Sequence, residues 1–287
     1  MIGPVLGVLF DGLAYGMLLF LLSVGLSVTL GMMNFVNLAH CSFAMLGGYV
    51  TVTLMNKLGW PFLVTLPCAF LAAAAVSAGL ERTLYRRLYR ASDLDQVLLT
   101  IGLAFISVAA AAYIYGTVLQ PVTVPSFLRG SLSVGGLGIG RYRLFLTGTA
   151  LVVAAALVLG LEGTRFGARV RAAVDNQRMA RGLGIDVDRT FAVTFALGSG
   201  LAGLGGALAI EIVGLDPSFA FTYLVYVLIV VSVGGLGSIG GSFAAASLIG
   251  ISDVAGKYYV PQLGSFLIYL VMLALLIWRP AGLLGRR

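Results

Sequence analysis

"GGLGSIGG", residues 234–241, decides how the chain is folded. It lies between two apolar runs, and five of its eight residues are glycine. Either the runs at 222–233 and 242–256 merge across it into one long helix, or it separates two membrane segments. Glycine costs ~1 kcal/mol relative to alanine in a helix interior, so five of them cannot sustain a continuous helix. The glycines then serve close helix packing or a bent loop lining a pathway. Gly234, Gly235 and Gly237 are therefore candidate pathway residues.

Counting membrane crossings leads to the same break. The chain has 287 residues, 60% of them hydrophobic and only 10% charged, and a mean hydropathy of +1.03. Soluble domains carry about 25% charged residues, so this composition specifies a polytopic membrane protein with no sizeable soluble domain. Apolar runs fall near 5–30, 41–55, 61–80, 97–119, 144–161, 191–213, 222–233, 242–256 and 263–278. Several are short for a crossing of ~20 residues. The first run has neither the basic lead-in nor the cleavage site of a removed signal, so it is expected to stay as a helix.

Three arginine-rich stretches punctuate these runs. "ERTLYRRLYR" (81–90) holds four Arg, 164–190 holds six and the tail after Trp278 holds three. These 13 of the 18 basic residues mark the cytoplasmic face by the positive-inside rule. The net charge of +7 therefore needs no nucleic-acid partner. With 164–190 and the C-terminal arginines both inside, the chain between them must cross an even number of times. Four separate pieces satisfy that; merging 222–256 would leave three.

The C-terminus is thus expected inside, and counting back from 81–90 puts the N-terminus outside. The expected fold class is all-α: eight or nine transmembrane helices with broken or re-entrant segments, in one domain over 1–287. Residues 13–80 and 222–287 also echo one another, each running helix, break, helix, loop, helix and basic end.

A second polar interruption is "GMMNFVNLAH" (31–40), inside a stretch from Gly12 to Asn56 that has no charged residue. It carries Asn34, Asn37 and His40, the only histidine of the chain. Backbone broken at membrane depth is tolerated only where protein or water covers it, and interrupted apolar segments point to translocation sites in transporters. Two roles stay open for Asn34, Asn37 and His40: satisfying freed backbone groups, or meeting substrate in a pathway.

The segment 164–190 reads as an amphipathic helix. Phe166, Val170, Ala173 and Val174 recur at helical spacing, arginines cover the other faces, and Gly182 and Gly184 supply a stop and turn. Such a helix lies on anionic lipid or docks into another protein. Of the acidic residues near the membrane, Glu211, Asp216 and Asp253 stand out as functional candidates. Asp216 precedes Pro217 and reads as loop. Glu211 ends a helix near the outer face, where solvent or an ammonium group could meet it.

The order of residues in "RAAVDNQRMARGLGIDVDRTFAVTFALGSGLAGLGGAL" (171–208) resembles the cytoplasmic loop and following helix of permease subunits of bacterial ABC importers for branched-chain amino acids. Arg171, Ala172, Asp175, Asn176, Ala180, Leu183, Gly184 and Ile185 stand at the family's positions, and its helix begins near Phe195. "NLAHCSFAMLGGYV" (37–50) matches at Asn37, Leu38, Ala39, His40, Phe43, Leu46, Gly47 and Tyr49, but has Cys41 where the family usually has Gly. That exchange bears on how tightly the backbone turns after His40. Gly234 to Ser238 match a third family stretch.

The resemblance implies that 164–190 is the coupling segment seated in a cytoplasmic ATPase, with Arg171, Ala172, Asp175, Asn176, Ala180, Gly184 and Ile185 at the contact. It further implies two ATPases, a second permease (usually a paralogue), an external or periplasmic solute-binding protein and the bacterial inner membrane. Cargo of a related kind, such as urea, amides or aromatic acids, stays open, as does a stand-alone secondary transporter or channel.

The chain holds no GxxxxGK[ST] phosphate loop, so ATP is expected to be bound by partners and no cofactor by this subunit. One histidine builds no zinc site, and the partner histidine that a rhomboid-like protease would need on a late helix is missing. The chain is therefore expected to be non-catalytic.

Overall fold

A computed structural model describes residues 2–33, 35–88, 91–134 and 137–285. Helix α1 (Ile2–Met33) is followed by α2 (His40–Leu58) and α3 (Phe62–Leu80). A π-helical turn (Glu81–Tyr85) and the short α4 (Arg86–Leu88) extend α3, and α5 (Asp93–Tyr115) comes next. A hairpin of β1 (Ser131–Val134) and β2 (Leu137–Gly140) leads into α6 (Arg141–Glu162). Helices α7 (Arg165–Asp175) and α8 (Gln177–Gly182) precede α9 (Val187–Val213), α10 (Phe219–Gly234), α11 (Ile239–Tyr259) and α12 (Gly264–Trp278).

The nine apolar runs correspond to α1, α2, α3, α5, α6, α9, α10, α11 and α12. Among the described residues, six helices are long and apolar enough to cross a membrane: α1, α3 with its extension, α5, α6, α9 and α11. The chain is an all-α polytopic membrane protein. The break at 234–241 is real: α10 stops at Gly234, and Ser238 caps α11 by accepting a hydrogen bond from Gly241 N–H at 3.0 Å.

Helix α9 is the hub. Its glycines let other backbones approach on several sides, the close packing that small residues allow in lipid. A Cβ at Gly203 would lie 2.9 Å from the Ala69 carbonyl of α3, and one at Gly206 would strike the Ala44 carbonyl of α2. Gly198 faces Gly25 of α1. Helix α1 is the second hub, laid on α11 so closely that a Cβ at Gly16 would be 2.6 Å from the Ala246 carbonyl.

These crossings define an inverted exchange. Helix α1 ends, and α9 begins, on the face that carries α7 and α8, here called the arginine face. Helix α1 packs on α11 as α9 packs on α3; α2 lies on α9 and α3 as α10 lies on α1 and α11. Residues 2–80 thus correspond to 187–259 in the opposite sense. The echo between 13–80 and 222–287 is not the repeat the structure contains, because the long hub helix of the second copy precedes residue 222.

The first copy breaks at 35–39. His40 Nε2 donates to the Leu22 carbonyl at 3.0 Å, about 16 Å along α1 from Met33 at 1.5 Å per residue. The chain has therefore climbed back to mid-depth before α2 starts. Its backbone groups are met by side chains of α5: Val36 N–H donates to Gln96 Oε1 and Leu38 N–H to Thr100 Oγ1, each at 3.1 Å. Phe35 is wedged against Tyr85 and Phe195, with ring centroids 5.2 and 6.2 Å away. The second copy breaks at the corresponding place, over 214–218.

Two expectations follow. Gly206→Val should destabilise by about 1–3 kcal/mol or more through overpacking. Gly102→Val, whose Cβ would meet nothing within 4 Å, should stay within about 0.5 kcal/mol of the parent; thermal unfolding in detergent separates the two. Gln96→Leu should cost about 1–3 kcal/mol by orphaning the Val36 amide. Unchanged unfolding would show that this amide finds another partner.

Candidate functional site

Three regions carry the residues singled out from sequence. The first is the break itself. Asn34 lies outside the described residues. Asn37 and His40 are both 1% exposed. Asn37 Oδ1 accepts from Ala39 N–H at 3.0 Å, and its Nδ2 has no partner among the described residues. In this arrangement both residues serve backbone groups. Cys41 sits in the first turn of α2 and is buried, so the turn needs no glycine there; it is made by Leu38 and Ala39 instead. Gln96 and Thr100 were missed from sequence. The available signal was two polar side chains four residues apart, on one face of an apolar helix.

Gly234, Gly235 and Gly237 also lie on the arginine face. Gly31 at the end of α1 packs on Gly237, and Gly282 and Gly285 pack on Gly235. Gly235 and Gly237 have φ of 94° and 76°, which only glycine adopts freely. The chain after α12 closes over the end of α10, where Leu283 N–H donates to the Val233 carbonyl at 2.7 Å. These glycines are packed backbone to backbone.

The second region is 164–190, which is two helices and not one. Asn176 breaks it and caps α8, its Oδ1 accepting from Met179 N–H at 2.9 Å. Thr164 and Asp186 cap α7 and α9 in the same manner. That last cap starts α9 at Val187, ahead of the expected start near Phe195. Gly182 closes α8, and the reversal is made at Gly184, with φ 82°.

Ala173, Ala180, Val187 and Phe191 form a small buried core with Met33 of α1, half-buried Ile185 packing against it. Arg171 donates to the Leu161 carbonyl, and Asp188 pairs with Arg86 and with Arg181. Ala172 is half-buried, whereas Asp175, Asn176 and Gly184 are exposed. Met179 and Leu183 project into solvent, 68% and 80% exposed. Both are apolar residues off the buried stripe of an arginine-rich segment, a pattern visible in the sequence.

The third region is on the opposite face. A cavity of about 300 Å³ is lined by Asp11, Tyr15, Arg143, Tyr223, Asp253 and Lys257, among others. The crossing of α1 and α11 at Gly12 and Gly16 brings Tyr15 beside Asp253, which is 1% exposed. Asp253 Oδ2 accepts from Lys257 Nζ at 2.6 Å, and Oδ1 has no partner among the described residues. Arg143 pairs with Asp11. Glu211 is exposed, and Asp216 accepts from the Ser218 hydroxyl within its loop at 2.6 Å. A separate cavity of about 310 Å³ between α2, α3 and α5 has no charged lining. Among the described residues no cluster suited to a metal ion was found.

A family model described as branched-chain amino acid transport system, permease component, matches residues 8–276. The chain is 28% identical to a probable branched-chain amino acid transport permease protein LivH of Methanocaldococcus jannaschii, over 97% of this chain and 92% of that one. It is 25% identical to the high-affinity permease protein BraD of Pseudomonas aeruginosa, covering 97% and 95% of the two chains. It is also 25% identical to the corresponding LivH of Escherichia coli K12, covering 97% and 94%. No solved structure matches. With the match running through nearly all its helices, the chain belongs to the permease-component family of branched-chain amino acid transport systems.

Proposed function

We propose that this chain is one permease subunit of a bacterial ABC importer, with the arginine face and the C-terminus in the cytoplasm. Two ATPases dock on α7 and α8, a second permease (a paralogue) completes the core, and an external binding protein delivers a branched-chain amino acid. That cargo is the one named for its relatives. The partners bind ATP. This subunit holds no covalent chemistry and changes conformation when they close.

The observation that carries the reading is the build of α7 and α8. A helix lying on lipid would turn its apolar side chains to the bilayer and leave its root loose. Here Ala173 and Ala180 are sealed into a core with Val187, Phe191 and Met33, while Met179 and Leu183 stand out among arginines. Exposed apolar side chains ringed by guanidinium groups suit a protein groove, with the arginines as a polar rim. A push on α8 is then transmitted to α1 and α9, the two hub helices.

Met179→Asp with Leu183→Asp should abolish co-purification of a P-loop ATPase in a gentle detergent pull-down, with the yield of folded permease unchanged. If the wild-type chain brings down no ATPase, the importer reading fails. Gly184→Val forces a β-branched residue to positive φ. It should leave ATP hydrolysis running while uptake falls several-fold; coupled uptake at the parental rate would remove the turn from the docking site.

A further inference from the structure

We propose that the cavity on the face opposite the arginines is this subunit's own binding site for a zwitterionic α-amino acid. In it Asp253 Oδ1 receives the ammonium group, and Arg143 and Lys257 receive the carboxylate. The inference rests on the importer reading and adds to it a place where cargo is held.

Charge balance is the first argument. The lining has two carboxylates, Asp11 and Asp253, and two cations, Arg143 and Lys257. Such a set attracts neither a simple anion nor a simple cation, but it meets both ends of a molecule that carries one charge of each sign. Lys257 and Arg143 are half-exposed at the mouth, whereas Asp253 lies at the bottom. A zwitterion entering amine first therefore matches the order of the charges.

The unmet acceptor is the second. Asp253 Oδ1 is buried and has no donor among the described residues, an arrangement that is strongly unfavourable for a carboxylate. Its other oxygen is already held by Lys257. An ammonium group has three donors, enough to reach Oδ1 and also the tyrosyl hydroxyls around it. Tyr15, Tyr223 and Tyr226 form the aromatic side of the lining there.

Size and walls are the third. About 300 Å³ holds roughly ten water-sized groups at about 30 Å³ each, the scale of a small amino acid. Ile212, Val213 and Val254 supply an aliphatic wall for its side chain. By contrast, the cavity between α2, α3 and α5 offers no charged group to either end of a zwitterion.

The test uses the full-length chain in nanodiscs with L-leucine as the probe, read by saturation-transfer NMR, beside leucine uptake by the complete importer in proteoliposomes. The parent should bind leucine, displaced neither by 4-methylpentanoate, which lacks the amine, nor by isoamylamine, which lacks the carboxylate. Asp253→Asn should weaken binding at least tenfold. Thr222→Trp, at an exposed and uncharged position of the lining, should block binding too and guards against misfolding of the first variant. Leucine binding that survives both variants, or no binding by the parent while the importer still takes leucine up, overturns the site and leaves the importer reading intact. Absence of ATP-driven uptake of any solute by the complete importer overturns the reading itself.

Discussion

Close approach of helix backbones at glycine is the constraint on which the rest depends. In lipid, apolar side chains gain nothing from leaving water, so helices hold together by packing and by hydrogen bonds. Helix α9 meets α1, α2 and α3 at different glycines, and α1 meets α11 through another set. Because these crossings leave no room for a Cβ, they fix where each helix lies along its neighbour. Features far apart in sequence thereby acquire a place. Phe35 is set against Phe195, and Tyr15 is carried to the buried Asp253.

The same constraint shapes how motion could pass through the molecule. Both hub helices have an end on the arginine face, where Met33, Val187 and Phe191 share a core with Ala173 and Ala180. Backbones in direct apposition have no compressible side chains between them, and packed interiors transmit displacement instead of absorbing it. A displacement of α8 therefore reaches α1 and α9 before any other element. On the far side, α1 carries Asp11 and Tyr15 into the charged cavity.

Much of this was legible in the sequence. The nine apolar runs became nine helices, and glycine density at 234–241 located the break between α10 and α11 because helix propensity is a local property. Residue order assigned the family. What was not legible depends on distance in sequence. Asp11, Arg143, Ile212 and Asp253 belong to four helices, and nothing local to any of them announces the others. Gln96 and Thr100 looked like ordinary polar punctuation at a helix start until the amides of Val36 and Leu38 lay beside them. The second helix in 164–190 was hidden for a different reason: Asn176 is both a tolerable helix residue and a strong cap, and only its bond to Met179 decides which.

The segment between α1 and α2 obeys rules borrowed from another class of structure. Successive outward-pointing amides of an extended chain are about 6.6 Å apart, close to the ~5.4 Å pitch of a helix, so Gln96 and Thr100 on α5 can serve as the rungs of a ladder. Along this stretch Phe35 and Asn37 are buried while Val36 and Leu38 are only half so, the alternation of a β-strand. Register here therefore counts in twos: inserting one residue would turn Phe35 and Asn37 out of the core together. This short extended segment thus takes its hydrogen-bonding partners from a helix and not from a second strand.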